Sequence, residues 1–348
     1  MARTIRQLLP STKSTAGGVA AVGAIALAGA ALIVNRQAAR AERAYRPRGS
    51  FVSAGGTRLH YVERGKGRPV VFLHGNGMMV EDMLISGVLD AAADRSFRSI
   101  AIDRPGFGHS ERPRGTAWTA AAQAQLLPRV FALLGIDRPI VVGHSLGAMV
   151  ALALALNHPD QVSGLVLASG YYYPTARADV VLVWPPATPI LGDLLCYTVA
   201  PLMGEFMAPR MVAKMFSPQA VPAQFEREFP FGLMLRPSQI RASSKDATHM
   251  IPDASRMAGR YPELACPVAI LAGDADAVVD LKAQAQRLHA ALPASMLDIF
   301  PGTGHMTHHA DPARVARAID FVSGTDPPGV EKPLQAASAA GSYQLSSR

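Results

Sequence analysis

Cysteine is nearly missing from this chain. Cys196 and Cys266 are its only two in 348 residues. That is too few for a disulfide framework, and no Cys/His spacing resembles a zinc site, so dependence on a metal is not expected. Acidic residues are nearly missing from the first 48 positions. Glu42 stands there alone against Arg3, Arg6, Lys13, Arg36, Arg40, Arg43, Arg46 and Arg48, which leaves about one unit of the formal net charge of +8 for the rest of the chain. A body with so little excess charge excludes nucleic acid as its partner.

Charge of either sign is missing from residues 16–34, a run of Ala, Val, Gly, Leu and Ile. Nineteen residues at about 1.5 Å each just reach across a bilayer core of about 30 Å. A cleaved signal peptide and a buried core helix are the rivals. The run exceeds the roughly 7–15 residues of a signal-peptide core, Ala39-Arg40-Ala41 is a poor cleavage site, and Arg36, Arg40 and Arg43 follow, all of which favours a single-pass N-terminal membrane anchor. Basic residues are more numerous after the run than before it, so the body is expected on the cytoplasmic side. Deleting residues 1–47 is expected to leave that body soluble and folded, because the run supplies none of its strands.

What is present is alternation. Phe51-Val52-Ser53 and Arg58 to Glu63 flank Gly55-Gly56 as in a hairpin, and Pro69-Val70-Val71-Phe72-Leu73 reads as a buried strand ending in His74-Gly75-Asn76-Gly77. A helix from Glu81 to Ala93, a strand from Ser99 to Ile102, a segment Asp103 to Ser110, and a helix near 117–134 follow. Pro139-Ile140-Val141-Val142 and Gly164 to Ser169 are further strands. Alternating strands and helices predict a mostly parallel twisted sheet flanked by helices. Between Tyr171 and Pro262 the alternation stops. This stretch is punctuated by proline and rich in Met and aromatics, among them Tyr171-Tyr172-Tyr173, Trp184, Met203, Phe206 and Phe216, and it predicts an inserted helical cap. Strands resume at Pro267 to Leu271 and at Met296 to Phe300, with helices at Leu281 to Leu292 and Pro312 to Val322. The expected organisation is a basic N-terminus with its anchor at 1–48, a first core part at 49–170, the cap at 171–262, a second core part at 263–323 and a disordered Pro/Ala/Ser-rich tail at 324–348.

Gly143-His144-Ser145-Leu146-Gly147 lies between a β-branched run and the apolar helix former Ala148 to Leu156. A G-x-S-x-G segment at a strand-to-helix turn projects its serine from the sheet and presents the Leu146 N–H at a helix N-terminus, ready to donate to an oxyanion. A serine needs a base, and the base an orienting acid. His305 follows the last strand at a Gly-flanked turn. His308 and His309 sit beyond it, toward the final helix. Asp274, Asp276 and Asp280 all follow the preceding strand, and the residues alone do not separate them.

In order and in placement, His74-Gly75-Asn76-Gly77, the segment 103–110, Gly143 to Gly147, Gly273-x-x-Asp276 and Gly304-His305 resemble the α/β-hydrolase fold superfamily, over residues from about 50 to 323. The resemblance implies the triad Ser145, His305 and Asp276, with the backbone N–H groups of Leu146 and Asn76 as the oxyanion hole and no cofactor. It implies structural roles for His144, Arg104 and His109. Dehalogenases and epoxide hydrolases of this fold use an aspartate nucleophile where this chain has Ser145, so neither activity is expected. The expected activity is hydrolysis of a carboxylic ester with an apolar acyl or small lipid-like substrate. C–C bond hydrolysis, cofactor-free perhydrolysis, and a catalytically silent protein binding a hydrophobic ligand at the membrane are the alternatives.

Overall fold

The computed structural model describes residues 12–176, 185–188 and 190–324. Trp184 and the tail expected beyond Gly324 lie outside the described residues. Among them, eight strands form one sheet: β1 (Ser50–Ala54), β2 (Thr57–Arg64), β3 (Arg68–Leu73), β4 (Phe97–Ile102), β5 (Ile140–His144), β6 (Gly164–Ala168), β7 (Val268–Gly273) and β8 (Met296–Phe300). Their order is β1-β2-β4-β3-β5-β6-β7-β8. β1 and β2 pair antiparallel, as do β2 and β4, and every other pair is parallel. The central strands are buried on both faces, which is why they read as unbroken apolar runs.

On β3 the pleat sends Val71 and Leu73 to one face and Val70 and Phe72 to the other. The first pair joins the core under α4 (Ala120–Leu134) and α5 (Leu146–Asn157). The second joins the core under α3 (Val88–Ala93) and α13 (Pro312–Ser323). The strand order reverses between β3 and β5, so the loops leaving their carboxyl ends face each other across a switch point, the usual place for a site in an open parallel sheet.

Several expected elements differ in detail. The helix expected at 81–93 is two, α2 (Val80–Ile85) and α3, because Gly87 turns the chain with a φ of 76°. The helix expected near 117 starts at Ala120, where the Thr119 side chain accepts the Ala122 N–H as an N-cap. The helix expected at 281–292 is a wide π-type stretch, Lys282–Gln286, running into α11 (Arg287–Ala291). A short α12 (Thr307–Ala310) was not anticipated.

The insertion is helical: α6 (Leu191–Cys196), α7 (Val199–Phe216), α8 (Ala223–Glu228), α9 (Phe231–Met234) and α10 (Pro237–Met257). Its own core gathers Val212, Phe216, Phe225, Phe229 and Leu233 with Met78 and Met306 from the sheet domain. Tyr171, Tyr172 and Tyr173, read above as part of the cap, pack instead in the sheet core, as do Met250, Ala254 and Met257 of α10. They follow β6 without a break, and Gln284 accepts the N–H groups of Tyr172 and Tyr173.

The N-terminal helix is longer than the apolar run. α1 spans Thr12–Ala44, since residues 35–44 are Ala, Arg, Gln and Glu, good helix formers, with one Asn. Ala21–Ala44 is the one helix among the described residues that is long and apolar enough to cross a membrane. Its last turns dock on the cap. Val34 and Ala41 are buried, Ala41 among the aromatic residues of the cap core. Gln37 donates to Glu205 at 2.9 Å, and Glu42 pairs with Arg236 at 3.0 Å. Residues 1–47 supply none of the strands, as expected, but they are not without contact to the fold: Ala41 packs in the cap core, and Gln37 and Glu42 bond to the cap. A fragment beginning at residue 48 should unfold roughly 5 °C below one beginning at residue 33, given about 2 kcal/mol of lost burial. Thermal melts of the two fragments followed by circular dichroism measure this, and equal midpoints would show that the end of α1 contributes nothing.

Candidate active site

Ser145 begins α5 with φ 52° and ψ −116°, a conformation an L-residue adopts only under restraint. The strain sits on the serine itself, and neither flanking glycine has a positive φ. The glycines are needed for close approach. A Cβ at Gly147 would lie 2.1 Å from the Leu73 carbonyl oxygen, and one at Gly143 would lie 2.6 Å from the Ala148 backbone. The Ser145 N–H donates to the Ala168 carbonyl at 2.9 Å, tying the turn to β6. Its side chain stays partly exposed above the sheet edge.

The Gly273-x-x-Asp276 turn and the 301–305 turn pack against each other. A Cβ at Gly273 would strike the Thr303 carbonyl, and the Ala275 N–H donates to that same oxygen at 3.0 Å. Asp276 Oδ1 accepts the N–H groups of Val278 and Val279, leaving Oδ2 to accept from His305 Nδ1 at 2.8 Å. Both side chains are buried. Asp274 and Asp280 are exposed, and Asp280 caps the following helix through the Ala283 N–H. The backbone of His305 is held on both sides: its N–H donates to Met215 of the cap, and its carbonyl accepts from His144 Nε2 at 3.1 Å. Among the described residues no hydrogen bond joins Ser145 to His305. Such bonds tighten only when substrate is in place.

Across the switch point, Gly75 sits on the elbow; a Cβ there would be 3.2 Å from that of Ser145. The loop is pinned by Arg104, which is buried. Its backbone N–H donates to His74 Nε2, its Nε to the His74 carbonyl and one NH2 group to the Gly75 carbonyl. Its other NH2 group pairs with Asp246 of α10 at 2.7 Å. Asp246 also takes Arg112 at 2.7 Å. Asn76 donates through Nδ2 to the Ser243 carbonyl of the same helix. One cap helix thus holds the loop that carries the Asn76 N–H. His109 keeps its loop by donating its N–H to Asp103, which also accepts from His60 and from the Val80 N–H.

A second cluster escaped the sequence. Asp82 of α2 accepts from His308 Nε2 at 3.0 Å and from His309 Nε2 at 2.7 Å, and the His308 ring lies tilted against that of His144, centroids 4.4 Å apart. Among the described residues, these three groups are the ones that could converge on a metal, their ligand atoms all lying within 4.8 Å. Here both Nε2 atoms are taken up by Asp82, while His308 Nδ1 is buried without a hydrogen-bond partner. Asp82 is 226 residues from His308, and nothing local in the sequence joins them. Burial and the repulsion of Arg104 lower the His74 pKa to about 4; burial likewise lowers His144 and His308, and Asp82 is held well below the usual range by His308 and His309 despite burial. Burial, with the charge of Asp103, raises Glu81 to about 7.

A cavity of about 630 Å³ opens outside the triad, between the loop 106–118 and α10, with Arg112, Arg114, Arg241 and Lys245 on its wall. Neither Ser145 nor His305 lines it.

The family model described as alpha/beta hydrolase fold matches residues 68–312. Haloalkane dehalogenase 2 of Mycobacterium tuberculosis is 27% identical over 270 residues, covering 75% of this chain and 90% of its own. The pimeloyl-acyl-carrier-protein methyl ester esterase of Vibrio vulnificus is 30% identical over 259 residues, covering 74% and 94%. Among solved structures, that of a bacterial membrane phospholipase A shares the fold with a TM-score of 0.60 at 20% identity, covering 90% of this chain and 99% of its own.

The buried neutral histidines fix a sign for stability against pH. In the unfolded chain they take up protons below about 6.5, whereas folded they do not, so stability is lost as the pH is lowered, with His74 alone contributing a loss of about 2 kcal/mol by pH 5. Glu81 acts the other way over the same window, since it keeps its proton in the fold and loses it near 4.5 when unfolded. It offsets one histidine of the three. Urea midpoints should therefore be lower at pH 5 than at pH 7, and a higher midpoint at pH 5 would contradict the neutral state of His144 and His308.

Proposed function

The chain belongs to the α/β-hydrolase fold family, and from that premise we propose that it is a serine hydrolase cleaving carboxylic esters of apolar acyl groups through Ser145, His305 and Asp276. The observations that carry this reading are a strained serine at the elbow after β5 and a buried His305–Asp276 pair that uses only the Nδ1 of the ring and leaves Nε2 for a proton. Ser145 Oγ attacks the ester carbonyl while His305 Nε2 takes its proton. Asp276 keeps the ring in the tautomer with Nδ1 protonated and stabilises the imidazolium. The N–H groups of Leu146 and Asn76 take the oxyanion. His305 then gives the proton to the leaving alkoxide, and a water deprotonated by the same nitrogen releases the acyl group. No cofactor enters these steps.

The similarity to a methyl ester esterase supports ester chemistry, whereas dehalogenation is set aside because Ser145 stands where that chemistry needs a carboxylate. The apolar preference rests on the Met- and Phe-rich cap and on α1, which we read as a single-pass anchor. Arg36, Arg40, Arg43, Arg46 and Arg48 on the domain side of the apolar run favour a cytoplasmic catalytic domain.

Ser145→Ala should abolish fluorophosphonate labelling and lower ester turnover by about 10³-fold or more. Wild-type labelling of that variant would end the assignment. Asp276→Asn should cost far more than Asp274→Asn, since only a carboxylate at 276 meets the imidazolium; reversed severities would move the acid. A panel of esters of rising acyl length tests the substrate class, and cleavage of a ring-fission diketone in place of every ester would favour the C–C hydrolase alternative.

A further inference from the structure

Helices α6 and α7 carry an outward ridge of Ile190, Leu191, Leu194, Met203, Phe206 and Met211, with Phe206 71% and Met203 56% exposed. Contiguous apolar surface of this kind on a soluble protein marks a site of interaction. The two acids within it are already engaged: Asp193 with Arg241, and Glu205 with Gln37. The Arg210 guanidinium lies over the Phe206 ring, 4.5 Å from its centroid, and donates to the Phe206 carbonyl one turn back, so its charge is also engaged.

The place of this ridge decides its partner. Ala30 of α1 shares an apolar groove with Val199, Leu202, Met203, Phe206 and Met207 of α7. Ala30 precedes the end of the apolar run at Val34 by four residues, so at 1.5 Å per residue α7 reaches about 6 Å inside the boundary that α1 sets. That is the depth at which interfacial amphipathic helices lie, about 5–10 Å. The hydrogen bond from Gln37 to Glu205 and the Glu42–Arg236 pair fix this register, so the cap cannot ride clear of a membrane that α1 spans. We infer that the α6–α7 ridge of the cap is a second membrane contact, buried in the acyl-chain region of a phospholipid bilayer beside α1. This rests on the anchor reading and adds to it. The cap, which holds His305 and the Asn76 loop, is then seated in the phase that carries acyl chains.

The test uses the full chain in phosphatidylcholine vesicles, with a fluorophore on a single introduced cysteine: Phe206→Cys, Met203→Cys, Ile25→Cys for the anchor, and Leu133→Cys. Leu133 lies at the amino edge of the sheet, where Arg98 reaches the Leu134 carbonyl. Burial pushes the thiols of Cys196 and Cys266 up to about 11, so labelling at neutral pH goes to the new site. Quenching by doxyl-labelled lipid should be at least about threefold stronger at 206, 203 and 25 than at 133, with the order reversed for aqueous iodide. If 25 is quenched by lipid while 206 and 203 answer to iodide, the ridge is not a membrane contact and the anchor stands. If 25 also answers to iodide, the anchor reading falls and takes this one with it. Shielding of 206 and 203 from both quenchers would show a second copy covering the ridge and would overturn the proposal.

Discussion

The approach of Gly147 to the Leu73 carbonyl is the constraint on which the site depends. With only about 2 Å between that oxygen and the place a Cβ would occupy, the start of α5 can press onto the end of β3 only without a side chain. That closeness turns the chain so sharply that Ser145 is forced to a positive φ, at a cost on the order of 1–3 kcal/mol. It also brings the loop after β3 against the elbow, so that Gly75 and Ser145 are neighbours although they leave different strands. One packing requirement thus positions both the serine and the loop that faces it.

Around this point the protein arranges charge among buried side chains. Arg104 is buried, and Asp246, Gln123 and two carbonyls engage four of its five side-chain donors. Removing one partner of such a pair leaves an uncompensated buried charge, which costs about 3–5 kcal/mol. Because Asp246 belongs to the cap and Arg104 to the sheet domain, that penalty also resists separation of the two. The histidines nearby follow the same logic. His74 donates from Nδ1 and accepts at Nε2, a neutral ring in a fixed tautomer, and His144 spends its Nε2 proton on the His305 carbonyl. They hold backbone in place without adding charge beside Asp276.

The sheet was legible because its strands obey local rules. Buried parallel strands are continuous β-branched runs, and each announces its end with Gly, Asn or Asp. The positions of Ser145, Asp276 and His305 on loops after β5, β7 and β8 follow from that reading, and family resemblance, not physics, separated Asp276 from Asp274 and Asp280. What sequence could not carry was long-range pairing. Asp246 meets Arg104 across 142 residues and Asp82 meets His308 across 226, and each is an ordinary polar residue of a helix until the chain is folded. Tyr171 to Tyr173 were misplaced for a related reason. Aromatic residues next to a proline-rich stretch look like cap, and only Gln284, a residue from the far side of the insertion, shows that they belong to the sheet.

The end of α1 joins these themes. Ala41 packs in a cluster that also contains Met78, next but one to Asn76, and Met306, next to His305. Close-packed interiors transmit displacement because they hold few voids to absorb it. A tilt of α1 against the cap must therefore be taken up by Met78, by Met306, or by the aromatic residues between them, and each lies within two residues of a group we place in the reaction or packs against one that does. An anchor joined by a flexible linker would leave the site indifferent to the membrane. On the anchor reading proposed above, a helix that runs unbroken from the apolar run into the cap core cannot, and Ala41, which the sequence alone places in the basic N-terminus, packs beside the residues that carry the loops at Asn76 and His305.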